Sequence, residues 1–326
     1  MSFLKFKISS NKNLFWLTYP LFLVVFWCFI RSFLKNEYVC IVREIIFLFF
    51  VMIISSCNNI EDVILEDNTV PADNTINNTI IETYINKLYI STIGREPIYA
   101  EFTADFNILR DADVSQDSRE IVIDGILNKD EYINNLFKLE SEHLLLGLDT
   151  ADINQNILVL NILITTSHGI DSIYFVDALY RMLKLQEVLP GLYDRTISNI
   201  EMHKRMVNNN SYDEINMGTE NFVISMFQSF MQRYPSTSEL NNGKLMVNNN
   251  NSSVFFIAGN GKEDFLNIFI ESDEYYAGQT NILFNRYLFR DPTSEESVNY
   301  SLDYINSQDY KLLQRRILST NEFIGL

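Results

Sequence analysis

The stretch Arg290-Asp291-Pro292-Thr293-Ser294-Glu295-Glu296 decides how this chain is read. Its skeleton, Arg-x-Pro-x-x-x-Glu, stands twice more, as Arg95, Pro97, Glu101 and as Arg233, Pro235, Glu239. Proline cannot continue a helix, because it lacks the N–H and its ring clashes with the preceding turn. Ser/Thr-x-x-Glu after the proline opens a new helix. Ser236 and Thr293 serve as N-caps, and Glu239 and Glu296 fall at the third helical position, able to reach back to the cap amide. An acid there also suits the positive end of the helix dipole. The arginine ends the preceding helix, where a cation is favoured, and can pair with the glutamate across the corner. The first copy departs from this: Ile98 takes the cap position and offers no side-chain oxygen, so its corner is expected to be weaker by roughly 1 kcal/mol.

Working outward, bulky apolar residues stand two, six and seven positions before each arginine: Leu88, Tyr89, Ile93; Met226, Phe227, Met231; Leu283, Phe284, Leu288. With Ile81, Tyr84 and Ile85 they follow the three-and-four spacing of an amphipathic helix. Each copy closes on an acid and an aromatic: Glu131-Tyr132, Glu274-Tyr275 and Glu322-Phe323. Apolar pairs precede them at fixed distance: Ile126-Leu127, Phe269-Ile270 and Ile317-Leu318. The spacing predicts a second helix over 100–109 and a third over 118–127. The closing pair is expected to end the third helix, with the aromatic packing back and the acid at the surface. Arginine-to-closing-glutamate separations of 36, 41 and 32 put the variation in the middle of the unit, where the second copy carries an Asn-rich insertion over 241–253.

The expected fold class is therefore all-α: tandem three-helix repeats over 81–138, 220–278 and 279–326, with neighbours stacked because one repeat cannot bury a full core. Residues 139–219 leave room for a fourth, degenerate copy. Its stripe would be Phe175, Val176, Leu179, Tyr180 and Leu183, and its close Met206-Val207 before Tyr212, with 186–190 replacing the Arg-x-Pro junction. The apolar segment 154–166 reads as a buried helix.

Gly94-Arg95-Glu96-Pro97 with Glu101, and Ser272-Asp273-Glu274-Tyr275, resemble the linker domains of phycobilisomes. They are also similar to a widespread helical domain repeated in secreted bacterial proteins. The resemblance covers roughly residues 81–135 and 220–325. It implies an all-α module that scaffolds or binds protein partners, and it implies no enzyme.

Two apolar runs precede the repeats, residues 14–33 and 45–54. The first is long enough to span a bilayer, and the second has the length of a signal-peptide core. Ile54-Ser55-Ser56-Cys57 resembles a bacterial lipobox. That resemblance implies that Cys57 is lipidated and becomes the mature N-terminus, with 1–56 as export signal and 57–80 as a disordered tether. The polar, acidic stretch 58–78 suits such a tether. Asn58 in place of an aspartate after the cysteine points to the outer membrane or cell surface of a Gram-negative bacterium. A start near Leu34 or Val42 would leave an ordinary signal peptide. With Met1 as the start, 14–33 is a genuine membrane span.

Charge narrows the partners. The chain carries −17 overall. Its first 56 residues hold six Lys/Arg and two acids, leaving 19 basic and 40 acidic residues, or −21, for the remainder. Such a surface repels nucleic acid and anionic headgroups. Cys28, Cys40 and Cys57 all precede the repeats, so no disulfide framework or cysteine-based metal site is expected there. His143, His168 and His203 show no ligand spacing. Asp149, Asp152, Asn154 and Asn156 imitate a calcium loop, yet Ile157 and Leu163 occupy the positions that need Gly and Glu. Gly259-Asn260-Gly261-Lys262 reads as a turn, and Ser167-His168 as no nucleophile–base pair. No cofactor or metal is expected. The expected function is a non-catalytic envelope lipoprotein presenting a protein-binding or scaffolding module. The alternative is a carboxylate-based hydrolase with its site between repeats.

Overall fold

The computed structural model describes residues 74–326, with side chains from Asn78 onward. The export segment and Cys57 lie outside the described residues. These residues belong to one unit, Pro71–Leu326, and are mostly helical. No described helix is long and apolar enough to cross a membrane.

The first three helices are α1 (Asn74–Thr92), α2 (Tyr99–Asp111) and α3 (Gln116–Leu127). The tether was expected to reach residue 80, but α1 already begins at Asn74, two turns earlier. Extending a formed helix costs far less than nucleating one, so the buried stripe from Ile81 carries the polar turns with it. Next come α4 (Asp130–Leu145), α5 (Thr150–Thr166), α6 (Ile170–Gln186), α7 (Val188–Tyr193), α8 (Asn199–Val207) and α9 (Asn210–Ile215). The chain continues through α10 (Thr219–Met231) and α11 (Thr237–Val247) to the strands β1 (Ser252–Val254) and β2 (Ile257–Gly259). It ends with α12 (Lys262–Ile270), α13 (Asp273–Leu288), α14 (Ser294–Ser307), α15 (Tyr310–Leu318) and α16 (Asn321–Ile324).

The Asn-rich insertion is thus not a loop throughout. Residues 241–247 complete α11, and an antiparallel hairpin follows, with Val254 paired to Ile257 across Phe255 and Phe256 at positive φ. The closing motifs also differ from expectation. Glu131-Tyr132, Glu274-Tyr275 and Glu322-Phe323 open α4, α13 and α16 instead of ending α3, α12 and α15. Ser272 and Thr320 cap α13 and α16 by accepting from the N–H of Tyr275 and Phe323 at 3.2 Å, while Lys129 gives α4 no side-chain cap. The acids occupy first turns, where the dipole favours them. The helix opened by Glu274 ends in Leu283, Phe284 and Leu288, so one helix carries both a closing motif and the next stripe.

The core is aromatic-rich. Phe227, Phe230, Phe265 and Phe269 are buried and meet edge-on or tilted, Phe227 and Phe269 at 5.0 Å. At Gly278, α13 crosses α10 so closely that an added Cβ would stand 1.9 Å from the Phe230 carbonyl oxygen. The two ends of the described chain also pack together, which neighbour-on-neighbour stacking would not require. Tyr84 donates to the Leu318 carbonyl at 3.1 Å, and Arg119 donates to the Ser319 carbonyl at 3.0 Å and to Asn321 at 2.7 Å.

Two expectations for the middle segment are overturned. Val176, Tyr180 and Leu183 are exposed, and α6 buries Ala178, Met182 and Leu185 in their place. Segment 154–166 forms most of α5, but Leu158, Val159 and Ile162 face solvent, and in all of α5 only Ile153 and Leu160 are buried. The physical reason is the same for both. The two helices form a hairpin whose inner faces pack on each other, and α6 also packs on α8. Nothing described covers the outer faces.

Candidate functional site

Three side-chain clusters share one geometry. Each first helix ends in a left-handed residue: Gly94 (φ 83°), Gln232 (φ 54°) or Phe289 (φ 55°). Four residues later an extended N-cap opens the next helix: Ile98, Ser236 or Thr293. Between them the proline-containing corner aims an arginine at two carboxylates. Arg95 donates from Nη1 and Nη2 to Glu101 at 2.8 and 3.0 Å, and from Nε and Nη2 to Glu131 at 2.9 Å each. Arg290 does the same with Glu296 at 2.8 and 2.7 Å and with Glu322 at 2.6 Å twice. Arg233 repeats it with Glu239 and Glu274. In each case Nη1 also donates to the next backbone carbonyl, of Glu96, Tyr234 or Asp291.

The pairing of arginine with corner glutamate follows the sequence expectation. The second carboxylate, Glu131, Glu274 or Glu322, was not foreseen as its partner. In the second and third copies the signal was present: Ser272 or Thr320 two residues before the acid is a helix start, which turns that acid toward the previous corner, whereas the first copy has Lys129 there. The arginine hydrogen bonds, with the reach-back to the cap amide, hold the Glu101, Glu239 and Glu296 carboxyls down to about 2. Glu239 and Glu296 complete capping boxes, accepting from the cap N–H at 2.7 Å while the cap oxygen accepts their own N–H at 3.3 Å. Ile98 keeps only the reach-back, at 2.9 Å, and Lys129 adds a donor to Glu101 at 2.8 Å. With its donors engaged in this way, each arginine has little left to offer a substrate. These are fastenings between helices.

A second cluster is buried where α4, α8 and α13 meet. His203 places Nδ1 2.7 Å from the Tyr275 hydroxyl and Nε2 3.3 Å from Glu140. Arg286 lies 3.5 Å from the same carboxylate. Burial alone would push the Glu140 carboxyl up, but His203 and Arg286 overcome it and hold the group below the usual carboxylate range. Tyr132, which the sequence singled out, lies alongside and donates to Gln314, which donates in turn to Tyr287 at 2.7 Å.

Next to this network lies a cavity of about 470 Å³, bounded by α3, α4, α7, α8 and α15. Arg195, Lys311 and Arg315 bring cations to it, and Asp124 and Asp309 bring acids. Both acids are engaged: Asp124 accepts from Arg315 at 2.7 Å, and Asp309 caps α15 by accepting from the Leu312 N–H at 3.1 Å. Sequence reading missed this cavity, because its walls come from segments far apart in the chain. The imitation calcium loop resolves into the start of α5, with Asp149 as cap and Asp152 reaching back. Among the described residues no cluster of three or more potential ligands is placed to hold a metal ion.

The other distinctive surface is the outer side of the α5–α6 hairpin. Ile170 (84% exposed), Ile173 (72%), Tyr174, Val176, Tyr180 and Leu183 line α6, and Leu158, Val159 and Ile162 line α5. Ser167-His168-Gly169 forms the tip between the two helices, where His168 is exposed. No protein family, curated protein or solved structure matches the chain.

Proposed function

We propose that this chain is a non-catalytic cell-envelope lipoprotein, a helical scaffolding module held on a lipid at Cys57 and presented on the outer membrane or cell surface of a Gram-negative bacterium. The observation that carries the binding role is the apolar outer side of the α5–α6 hairpin. Its exposed area is on the order of 1,000 Å², above the few hundred Å² that monomeric surfaces leave apolar. The occupant is the same hairpin of a second copy. Ile173, Val176, Tyr180 and Leu183 stand three and four apart, the spacing of a helix–helix seam. The area matches the roughly 800 Å² per partner of a stable interface. Acid and base are balanced along α6, where Asp177 pairs with Arg181 and Lys184 with Glu187, so two copies of this face do not repel as the acidic body would.

The repeat reading belongs to the same proposal. The three arginine clamps mark copies of one module. The fourth copy begins on α4 and not on α6. Leu146 (φ 55°) ends α4 as Phe289 ends α13, and the Asp149 capping box then opens α5. Met206, Val207 and Tyr212 close it, all buried, with Asn209 accepting from the Tyr212 N–H at 3.0 Å. In this register α6 and α7 are an insertion, which is why the outer face of α6 has no place in the shared core. The hydrolase alternative has less to stand on, because both carboxylates at the cavity are already engaged.

Two arms test the proposal in cells. Labelling with a fatty-acid analogue is expected to mark the wild type and not Cys57→Ala. Unlabelled wild type that stays in the membrane would remove the lipoprotein reading. Oxidative crosslinking of Val176→Cys is expected to give a covalent homodimer, and Asp117→Cys none. Homodimer from both positions or from neither would remove the hairpin interface.

A further inference from the structure

The cavity beside Tyr132 collects helix N-termini. Tyr132 and Ile133 lie in the first turn of α4, Ser198 and Asn199 are the cap and first residue of α8, and Asp309, Tyr310 and Lys311 begin α15. Each helix start carries a partial positive charge and N–H groups without a helical partner. Three such starts border the cavity, two of them already capped, α8 by Ser198 and α15 by Asp309.

Two further observations point to a ligand in that space. Asn199 lines the cavity at 9% exposure, and its amide makes no well-aligned hydrogen bond, its polar neighbour being the Tyr304 hydroxyl. A buried polar group left unpaired costs roughly 1–3 kcal/mol, so this arrangement is suited to being completed from outside.

The cations tell the same story. Among the described residues Lys311 and Arg195 have no carboxylate within ion-pairing distance. Lys311 sits 5.2 Å from the Tyr132 ring centre, and Arg195 reaches only the Asn128 side-chain oxygen at 3.5 Å. Burial, and then the charge of Arg195, push the Lys311 ammonium below its ordinary value. Asp309 and Asp124 offset these charges only in part, and an anion between the two cations would relieve the remainder. The remaining wall is apolar, from Ile133, Leu136, Leu192 and Leu312.

We infer that this cavity binds a small organic anion, with a carboxylate or phosphate head group between Lys311 and Arg195, within reach of the Asn199 amide, and an apolar body against the leucine wall. The volume of about 470 Å³ lies in the range of small-molecule sites. The inference does not depend on the hairpin or the lipid anchor.

The test is calorimetric titration of the full chain in nanodiscs with phenyl phosphate, benzoate and benzyl alcohol. At least one anion is expected to bind with a Kd below about 1 mM, and the alcohol at least about tenfold more weakly. The tighter of the two anions identifies the head group. Arg195→Asn and Lys311→Gln are each expected to weaken the anion by about tenfold or more, the size of one lost charge-assisted contact. Arg195 is exposed and sits at φ 58°, a backbone asparagine adopts readily, so that variant retains the fold. Three results would overturn the inference: no binding of either anion up to about 10 mM, an alcohol that binds as well as the anions, or unchanged anion affinity in both variants.

Discussion

Removing the guanidinium of Arg290 is the sharpest test of how this body is fastened. Arg290 joins three pieces of chain: the end of α13, the start of α14 through Glu296, and the start of α16 through Glu322. The side chain is 33% exposed and its carboxylates 29% and 46%. The pairs therefore belong nearer the surface regime of up to about 1 kcal/mol each than the buried one. Bidentate geometry on both sides raises them within that range. The guanidinium also lies 5.2 Å from the Phe284 ring centre, worth about 0.5–1 kcal/mol. Together Arg290→Ala is expected to cost about 2–3 kcal/mol, a drop in melting temperature of roughly 4–10 °C for a body of this size. Arg290→Lys keeps the charge without the fork and is expected to recover less than half of it. Circular dichroism melts of the three proteins provide the readout. A loss below about 0.5 kcal/mol for Arg290→Ala, or full recovery by Arg290→Lys, would show that the clamp is incidental and that burial alone holds the corner.

The other expectations concern the same joints and the core. Glu101, Glu239 and Glu296 ionise with folded values near 2 against an ordinary 4.5, so their contribution is complete above about pH 4.5 and is lost as pH falls toward 2. Urea midpoints should fall over that window, and less steeply for Arg95→Ala or Arg290→Ala than for the wild type; equal slopes would refute the pairing. Ile98→Thr supplies the missing cap oxygen at an extended backbone (φ −74°, ψ 159°) and is expected to stabilise by up to about 1 kcal/mol, measured by the same denaturation. Glu140→Ala leaves the buried His203 and the half-buried Arg286 without their carboxylate and should cost about 3 kcal/mol, with a stability near wild type counting against the buried cluster. Gly278→Ala forces α13 away from the Phe230 carbonyl and should cost about 3 kcal/mol or more, visible as a large shift in the melt.

Much of the local structure was legible in the sequence. The Arg-x-Pro corners, the caps Ser236 and Thr293, and the stripes ending at Ile93, Met231 and Leu288 follow from rules that span seven residues or fewer. The closing motifs were placed on the wrong side of a helix boundary because an acid followed by an aromatic suits either a helix end or a helix start. Only the cap two residues before the acid, Ser272 or Thr320, decides between them. The Arg-to-second-Glu contact spans 36, 41 and 32 residues, beyond the reach of any local rule. The cavity and the Glu140–His203–Arg286 cluster were illegible for the same reason: their members come from helices separated by 191 residues in the cavity and 146 in the cluster.

The reading of 154–166 as buried failed on a different point, and the failure is informative. Periodicity identifies which residues share a helix face but says nothing of whether a second surface exists to cover it. In α5 and α6 the inner faces satisfy each other and the body, through Ile153, Leu160, Ala178, Met182 and Leu185. The remaining apolar residues are therefore surplus to folding, and leaving them in water brings no stability to the monomer. If α6 and α7 are an insertion into a module otherwise shared by the three clamped units, that surplus is confined to the inserted element and its partner helix. An interaction surface added to a scaffold has this distribution, whereas a decaying core would scatter exposed apolar residues along α2, α11 and α14 as densely as along α6. Those helices expose fewer: Tyr99 and Ile108 on α2, Leu245 on α11, and Val298 and Leu302 on α14.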